Sequence, residues 1–306
     1  MSLLLAVILS AAALAGYQVD QLLREEEPVR EIAGDLPEQE DFATAVSDAV
    51  VDDAAAELPD MASGAVDAIG GNLVESLVSR LADDDQVRAA WDETVQQTRA
   101  DYAAQLEDIF HDGTSGDTGE LAVAVDLEPL SEAVTAPLRD ALDSTLGWLP
   151  FVEEDSFDVL IPDIVVDIEA AAPESTDPYT WATVAVLSQY WLAFAIAAGV
   201  SAIAGVSVGR GAGRWIGLAV AGMLVTGLGL WIALRIVSPE AAPPAEFDDA
   251  AAAILDHVQD RFTAWAQPAW WVYTGAGGAA IVLGVLGALL QPKRSAARPA
   301  QGVHAA

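Results

Sequence analysis

Three stretches of this chain, residues 181–208, 215–234 and 270–290, contain no Asp, Glu, Lys, Arg or His. Each reaches the roughly 20 apolar residues that a helix needs to cross a hydrocarbon layer about 30 Å thick. A surface helix of that length would carry a polar face, so these segments predict membrane spans. Residues 2–17 form a fourth apolar segment, shorter than the others. Composition is consistent with this only if the chain is segregated, because a net charge of −34 coexists with a mean hydropathy of +0.34. One uniformly soluble domain does not combine those two values.

The charges are sorted by segment. Residues 18–180 hold 41 acids and 6 bases, and residues 235–269 hold the other 6 acids. The remaining connections carry five bases and no acids: Arg210 and Arg214 after the second segment, then Lys293, Arg294 and Arg298 after the fourth. Basic residues in short loops stay cytoplasmic. The expected protein is therefore a multi-pass plasma-membrane protein with both termini cytoplasmic and residues 18–178 extracytoplasmic. Tyr179, Trp181, Trp265, Trp270 and Trp271 are expected in an outer interfacial belt, with Trp215 marking the inner side. The first segment reads as a retained anchor at 1–17, prolonged by Val19, Leu22 and Leu23 as far as Pro28. Ala13-Leu14-Ala15 also fits a signal-peptide cleavage site.

Between the first two spans, apolar residues recur at helical spacing. Phe42, Val46 and Val50 open one helix, and a stripe from Val66 to Leu81 marks a second. Val87, Trp91, Val95, Thr98, Tyr102, Leu106 and Ile109 mark a third that stops at Gly113. After the turn-rich run 111–119 the period changes to two. Leu121, Val123, Val125 and Leu127 predict a strand, Leu130 to Leu142 a helix, and Phe157–Val159–Ile161 with Ile164–Val166–Ile168 two further strands. The expected fold class is thus a mainly α membrane protein of four transmembrane helices, with an acidic extracytoplasmic α+β domain at 18–178. A three-helix transmembrane bundle at 179–291 and a basic cytoplasmic tail at 292–306 complete it. Within the bundle, residues 247–265 predict an amphipathic helix with Ile254, Leu255, Val258, Phe262 and Trp265 on one side. It lies either flat on the bilayer or against the outer domain.

The order of these pieces resembles an uncharacterised family of actinobacterial integral membrane proteins with one N-terminal span, an extracytoplasmic domain and three C-terminal spans. The resemblance rests on the helix over 42–58, on Val87-Arg88-Ala89-Ala90-Trp91 leading to Tyr102-Ala103-Ala104-Gln105-Leu106, on the strand and helix over 123–138, and on the strand over 157–161. Relatives often carry a His where this sequence has Tyr102 or Ala103. The resemblance implies a topology and brings no activity with it.

Chemistry is sparse. The absence of cysteine excludes disulfides, thiolate nucleophiles, Cys-ligated zinc and iron–sulfur clusters. His111, His257 and His304 form no local pair. Residues 111–117 with Glu120 offer oxygen ligands but lack the EF-hand spacing, and Asp83–Asp85 and Glu25–Glu27 read as helix-start charge. Ser115 near His111 has no nucleophile-elbow context. No catalytic, cofactor-binding or metal residue is assigned, no cofactor is expected, and the protein reads as a non-enzyme. Its expected partners are the lipid bilayer and an envelope protein, with homo-oligomer contacts an option. Those contacts would use the small-residue faces Ala276–Ala280–Gly284–Ala288, Ala193–Ala197–Ser201 and Gly217–Ala221. Nucleic acid is excluded by the carboxylates. The expected role is envelope binding or scaffolding. An accessory subunit of a transport or secretion system is the alternative, and an extracytoplasmic hydrolase using His111 and Ser115 a weaker one.

Overall fold

The computed structural model describes residues 1–40, 42, 44, 85–112, 123–126, 165–168, 177–208, 211–238 and 249–290. Four helices are long and apolar enough to cross a membrane: α1 (Ser2–Arg24), α5 (Trp191–Val208), α6 (Ala212–Arg235) and α7 (Asp249–Leu289). The protein is a polytopic membrane protein with one N-terminal and three C-terminal spans. Between them lie α2 (Glu26–Ala33), a 3-10 turn at Leu36–Glu38, α3 (Asp85–Asp112), the strands β1 (Val123–Asp126) and β2 (Val165–Ile168), and α4 (Pro178–Ser188).

The spans carry large side chains outward and small ones inward, the arrangement that a hydrocarbon solvent permits. On α5, Ile196, Val200 and Ile203 are exposed while Ala198 is buried. They associate as two pairs. In the α1–α5 pair, Gly16 meets Trp191, and the Leu3 side chain wedges against Gly205. The α6–α7 pair is closer. A Cβ on Gly284 would stand 2.6 Å from the Ala219 nitrogen and the Trp215 carbonyl, and one on Gly222 would stand 2.7 Å from the Gly277 carbonyl. Those backbones meet because no side chain intervenes.

Element ends follow local chemistry. α1 stops at Arg24, because Glu25 is extended (φ −103°, ψ 143°). The break thus precedes Pro28, which sits in the first turn of α2, where its missing N–H leaves no helical bond unmade. Asp177 caps α4 by accepting a hydrogen bond from the Tyr179 amide at 3.1 Å. Gly211 turns the chain into α6 at φ 62°, a conformation that favours glycine. α7 has 41 residues, about 60 Å at 1.5 Å per residue, twice a hydrocarbon layer. Its first half therefore stands beyond the bilayer, where Ile254 and Val258 pack on Leu36, Val87 and Trp91. Of the two placements open for the 247–265 helix, this is the one against the loop segment.

The expected α+β domain is overturned. Apart from one ribbon, the described part of residues 18–178 is helical, with α3 packed through Val87 and Trp91 at one end and Leu106 at the other. The ribbon pairs Val123 with Ile168 and Asp126 with Val165, antiparallel, over four residues each. Alternation at period two marked extended backbone correctly at 123–126. Two such short strands form no sheet layer, however, and the packing around them is helix on helix. The helices expected over 66–81 and 130–142, most of that over 42–58 and the strand over 157–161 lie outside the described residues.

Valine at Gly277, whose Cβ would stand 2.7 Å from the Thr226 nitrogen, overpacks the α6–α7 contact, whereas Gly275 faces open space. We expect Gly277→Val to destabilise the detergent-solubilised protein by about 1–3 kcal/mol or more. Gly275→Val should leave the thermal transition within a degree or two, as a melting comparison of the two will show.

Candidate functional site

The described members of the acidic runs, and His111, take part in helix-end chemistry. Glu26 and Glu27 lie in the first turn of α2 and approach Arg30 at 3.5 and 3.7 Å. Asp85 opens α3 and Asp83 and Asp84 lie outside the described residues. The His111 Nδ1 lies 2.7 Å from the Glu107 carbonyl, and its ring sits edge-on to Phe110. Ser115, Asp117 and Glu120 lie outside the described residues, and with them the suggested pairing of His111 with Ser115. Among the described residues no group of three metal-ligating side chains occurs.

What the structure does assemble is a seam of guanidinium groups that fastens α3 to the spans. Arg24, at the end of α1, donates to Asp20 (2.9 Å), to Glu107 on α3 (3.1 Å) and to Ser188 at the end of α4 (3.3 Å). Arg99 on α3 returns the contact by donating to the Leu23 carbonyl at 2.7 Å. Further along, Arg30 meets both Asp92 oxygens at 2.9 Å, and the Trp91 indole N–H donates to the Ala33 carbonyl at 2.7 Å. Asp35 then receives His257 at 3.2 Å and Arg261, both from α7. Each cation bridges two elements, and each contact lies beside a buried apolar cluster: Leu36–Val87–Trp91 at one end and Leu106–Ala182–Ala185 at the other.

Two groups on α3 carry the electrical signature of this docking. The hydrogen bond from Arg30, reinforced by its charge, holds the Asp92 carboxyl below the usual carboxylate range. Burial pushes the Tyr102 phenol up. Tyr102 packs into the Leu106 cluster.

Within the bilayer, an open-sided cavity of about 800 Å³ lies between the two helix pairs. Its walls are almost wholly apolar, and many are small: Ala6 and Ala13 from α1, Ala198 from α5, Ala221 from α6, and Ala276 and Ala280 from α7. The pairs are joined across it by polar side chains. Ser10 and Tyr273 lie 3.1 Å apart, oxygen to oxygen, and both bond the Val7 carbonyl, at 2.9 and 3.2 Å. Gln18 donates to the Ala266 carbonyl and accepts from the Trp270 indole, each at 2.8 Å. Trp270 is consequently only 2% exposed and belongs to the core, not to the interfacial belt expected of it. The small-residue faces divide between these roles. Gly217 and Gly284 meet neighbouring helices of the same chain, and Ala221, Ala276 and Ala280 line the cavity, whereas Ala193 is exposed.

The seam and the cavity were not assigned as sites from the sequence. Their signals were present as exceptions: Ser10 in an otherwise apolar segment, Gln18 just past it, and the few arginines among many acids. Comparison of the chain with protein-family models, with curated proteins and with solved structures finds no match.

Because the Asp92 carboxyl titrates lower in the folded chain than in the unfolded one, its ion pair contributes stability above the ordinary aspartate pKa of about 3.9. That contribution disappears as pH falls through the lowered folded value. Wild type should therefore exceed Asp92→Asn in melting temperature by a constant margin above about pH 5. The margin should close between that pH and strongly acidic solution; an unchanging margin would contradict the pairing.

Proposed function

We propose that this chain is a non-enzymatic scaffold of the cell envelope, which holds an acidic segment, residues 18–178, on the outer face of the plasma membrane for binding a partner. The observation that carries the reading is the seam. The segment is not tethered by one flexible linker, since α3 is fastened to α1, to α4 and to the protruding half of α7 through Arg24, Arg99 and Arg30 and by the packing on Val258. The described helices of the segment thus pack as one unit with the spans. The described arginines of the segment are engaged in these internal contacts, Arg88 with Glu38 and Asp85 included. Carboxylates are thereby left to dominate what faces solvent, which favours a partner with a basic surface.

Sidedness follows from the basic connections. Arg210, Arg214 and the three bases after Leu290 fall in connections that hold no Asp or Glu, and all 47 Asp and Glu fall in the other two, which supports opposite sides of the membrane for the two sets. α1 is integrated with the bundle through Leu3, Ser10 and Gln18, which supports retention of the first segment as a span. The order of spans is that of the actinobacterial family resembled above, and the proposal extends that likeness no further than topology.

The chain lacks native cysteine, so single substitutions report sidedness directly. On intact cells an impermeant maleimide should label Ser115→Cys and leave Ser207→Cys and Ser295→Cys unlabelled until the membrane is opened. Crosslinking before solubilisation should then recover one reproducible envelope protein, whose yield falls as salt is raised. Labelling of the carboxyl-terminal position from outside, or recovery that ignores ionic strength, would remove the basis of this reading.

A further inference from the structure

One wall of the cavity between the helix pairs, on α6, begins one helical turn from a charged side chain. Leu218, Ala221 and Val225 line it from α6, at spacings that place them on one helix face. Arg214 occupies the same face one turn earlier, toward the basic end of the bundle, because positions four apart on a helix stand above one another. Its guanidinium lies over the Trp215 ring at 5.0 Å. No carboxylate among the described residues forms an ion pair with it, and its Nε is buried without a hydrogen-bond acceptor. Arg214 also stands in the first turn of α6, whose N-cap Gly211 offers no side-chain cap. A cation there opposes the helix dipole, and the free amides of that turn add to the positive potential. An unpaired cation, an unmet donor and an uncapped helix start thus converge on one place, and all three call for an anion.

From Arg214 the apolar space runs toward Trp191 and Tyr17 at its far end. Water does not suit that space. A buried water needs two to four polar partners, whereas the wall hydroxyls of Ser10 and Tyr273 are already bonded to each other and to the Val7 carbonyl. Left empty, the walls would lose their dispersion contacts. At this depth the surrounding medium consists of hydrocarbon chains. We infer that the cavity is a binding site for an anionic phospholipid, whose acyl chain lies between the two helix pairs and whose phosphate is held by Arg214 and the start of α6. The volume of about 800 Å³ lies within the range of sites that enclose a small ligand. The inference does not depend on which face of the membrane the segment 18–178 occupies.

Trp191 lines the cavity at the end opposite Arg214 and serves as the reporter. The full chain is reconstituted in phosphatidylcholine vesicles containing a minor fraction of either phosphatidylglycerol or phosphatidylcholine brominated near the end of its acyl chains. Bromine quenches tryptophan on contact, and the Trp191→Phe protein supplies the background to subtract. We expect the Trp191-dependent quenching to need about fivefold less brominated phosphatidylglycerol than brominated phosphatidylcholine, the factor that one basic side chain contributes near an anionic lipid. Arg214→Gln should make the two lipids equivalent, and Arg214→Lys should keep most of the preference. Lipid extraction from the detergent-purified native chain should recover phosphatidylglycerol in excess over its share of the membrane. Equal quenching by the two lipids in the native protein would overturn the inference. So would a preference that survives in Arg214→Gln, or purified protein that carries no excess anionic lipid.

Discussion

An ionised group has no partner in hydrocarbon, and that constraint sets the layout of the whole chain. Charges appear only where helices leave the bilayer. Arg24 and Arg235 end α1 and α6 on one side, and Arg214 begins α6 on the other. The long helix α7 carries its charges, Asp256, Asp260 and Arg261 among them, in the half that precedes Trp265. Once inside the bilayer the helices cannot be driven together by hydrophobic burial, since lipid is as apolar as they are. They must fit. Gly222, Gly277 and Gly284 supply that fit between α6 and α7, where main chain rests on main chain.

The same constraint explains why the four helices form two pairs and not one evenly packed bundle. Small residues allow close approach only where they oppose a complementary ridge. Leu3 fits Gly205 and Gly217, and Ile281 fits Gly222. Ala6, Ala13, Ala198, Ala221, Ala276 and Ala280 line the gap between the pairs, and an alanine side chain is too short to fill it. The pairs are therefore held at a distance by bridges that do reach: Tyr273 to Ser10, and Gln18 to Trp270. In a membrane such hydrogen bonds hold position well, because water is absent as a competitor. A cavity of this kind follows from shape and does not indicate poor packing.

Much of this was legible from residue type and order, because the responsible forces are local. Charge-free segments gave the spans. The stripe Val87, Trp91, Leu106 gave α3 and its buried side, and Gly113 agreed with its end at Asp112. The failures share a cause. Trp270 reads as an interfacial indole by its place in the chain, and only the folded arrangement brings Gln18 to its N–H. The stripe Ala276–Ala280–Gly284 is continuous in sequence, yet Gly284 meets α6 while the two alanines face the cavity. The alternating residues around Val123 described their own backbone, but the class of the surrounding domain depends on partners elsewhere in the chain. No residue type announced the seam, since an arginine bound for Glu107 looks in sequence like any exposed arginine.

That seam also bears on what the protruding helices can do. α3 runs about 40 Å, by its 28 residues at 1.5 Å each, and is held near both ends. At one end Leu106 is buried with Ala182 and Ala185 of α4, beside Arg24 of α1; at the other Trp91 is buried with Leu36 and beside Val258 of α7. Exposed ion pairs alone would hold such a helix weakly, each contributing no more than about 1 kcal/mol. Placed at the edge of apolar clusters, they instead fix the register of contacts whose stability comes mainly from burial. A partner binding α3 would thus meet a helix coupled to α1 in one helix pair and to α7 in the other.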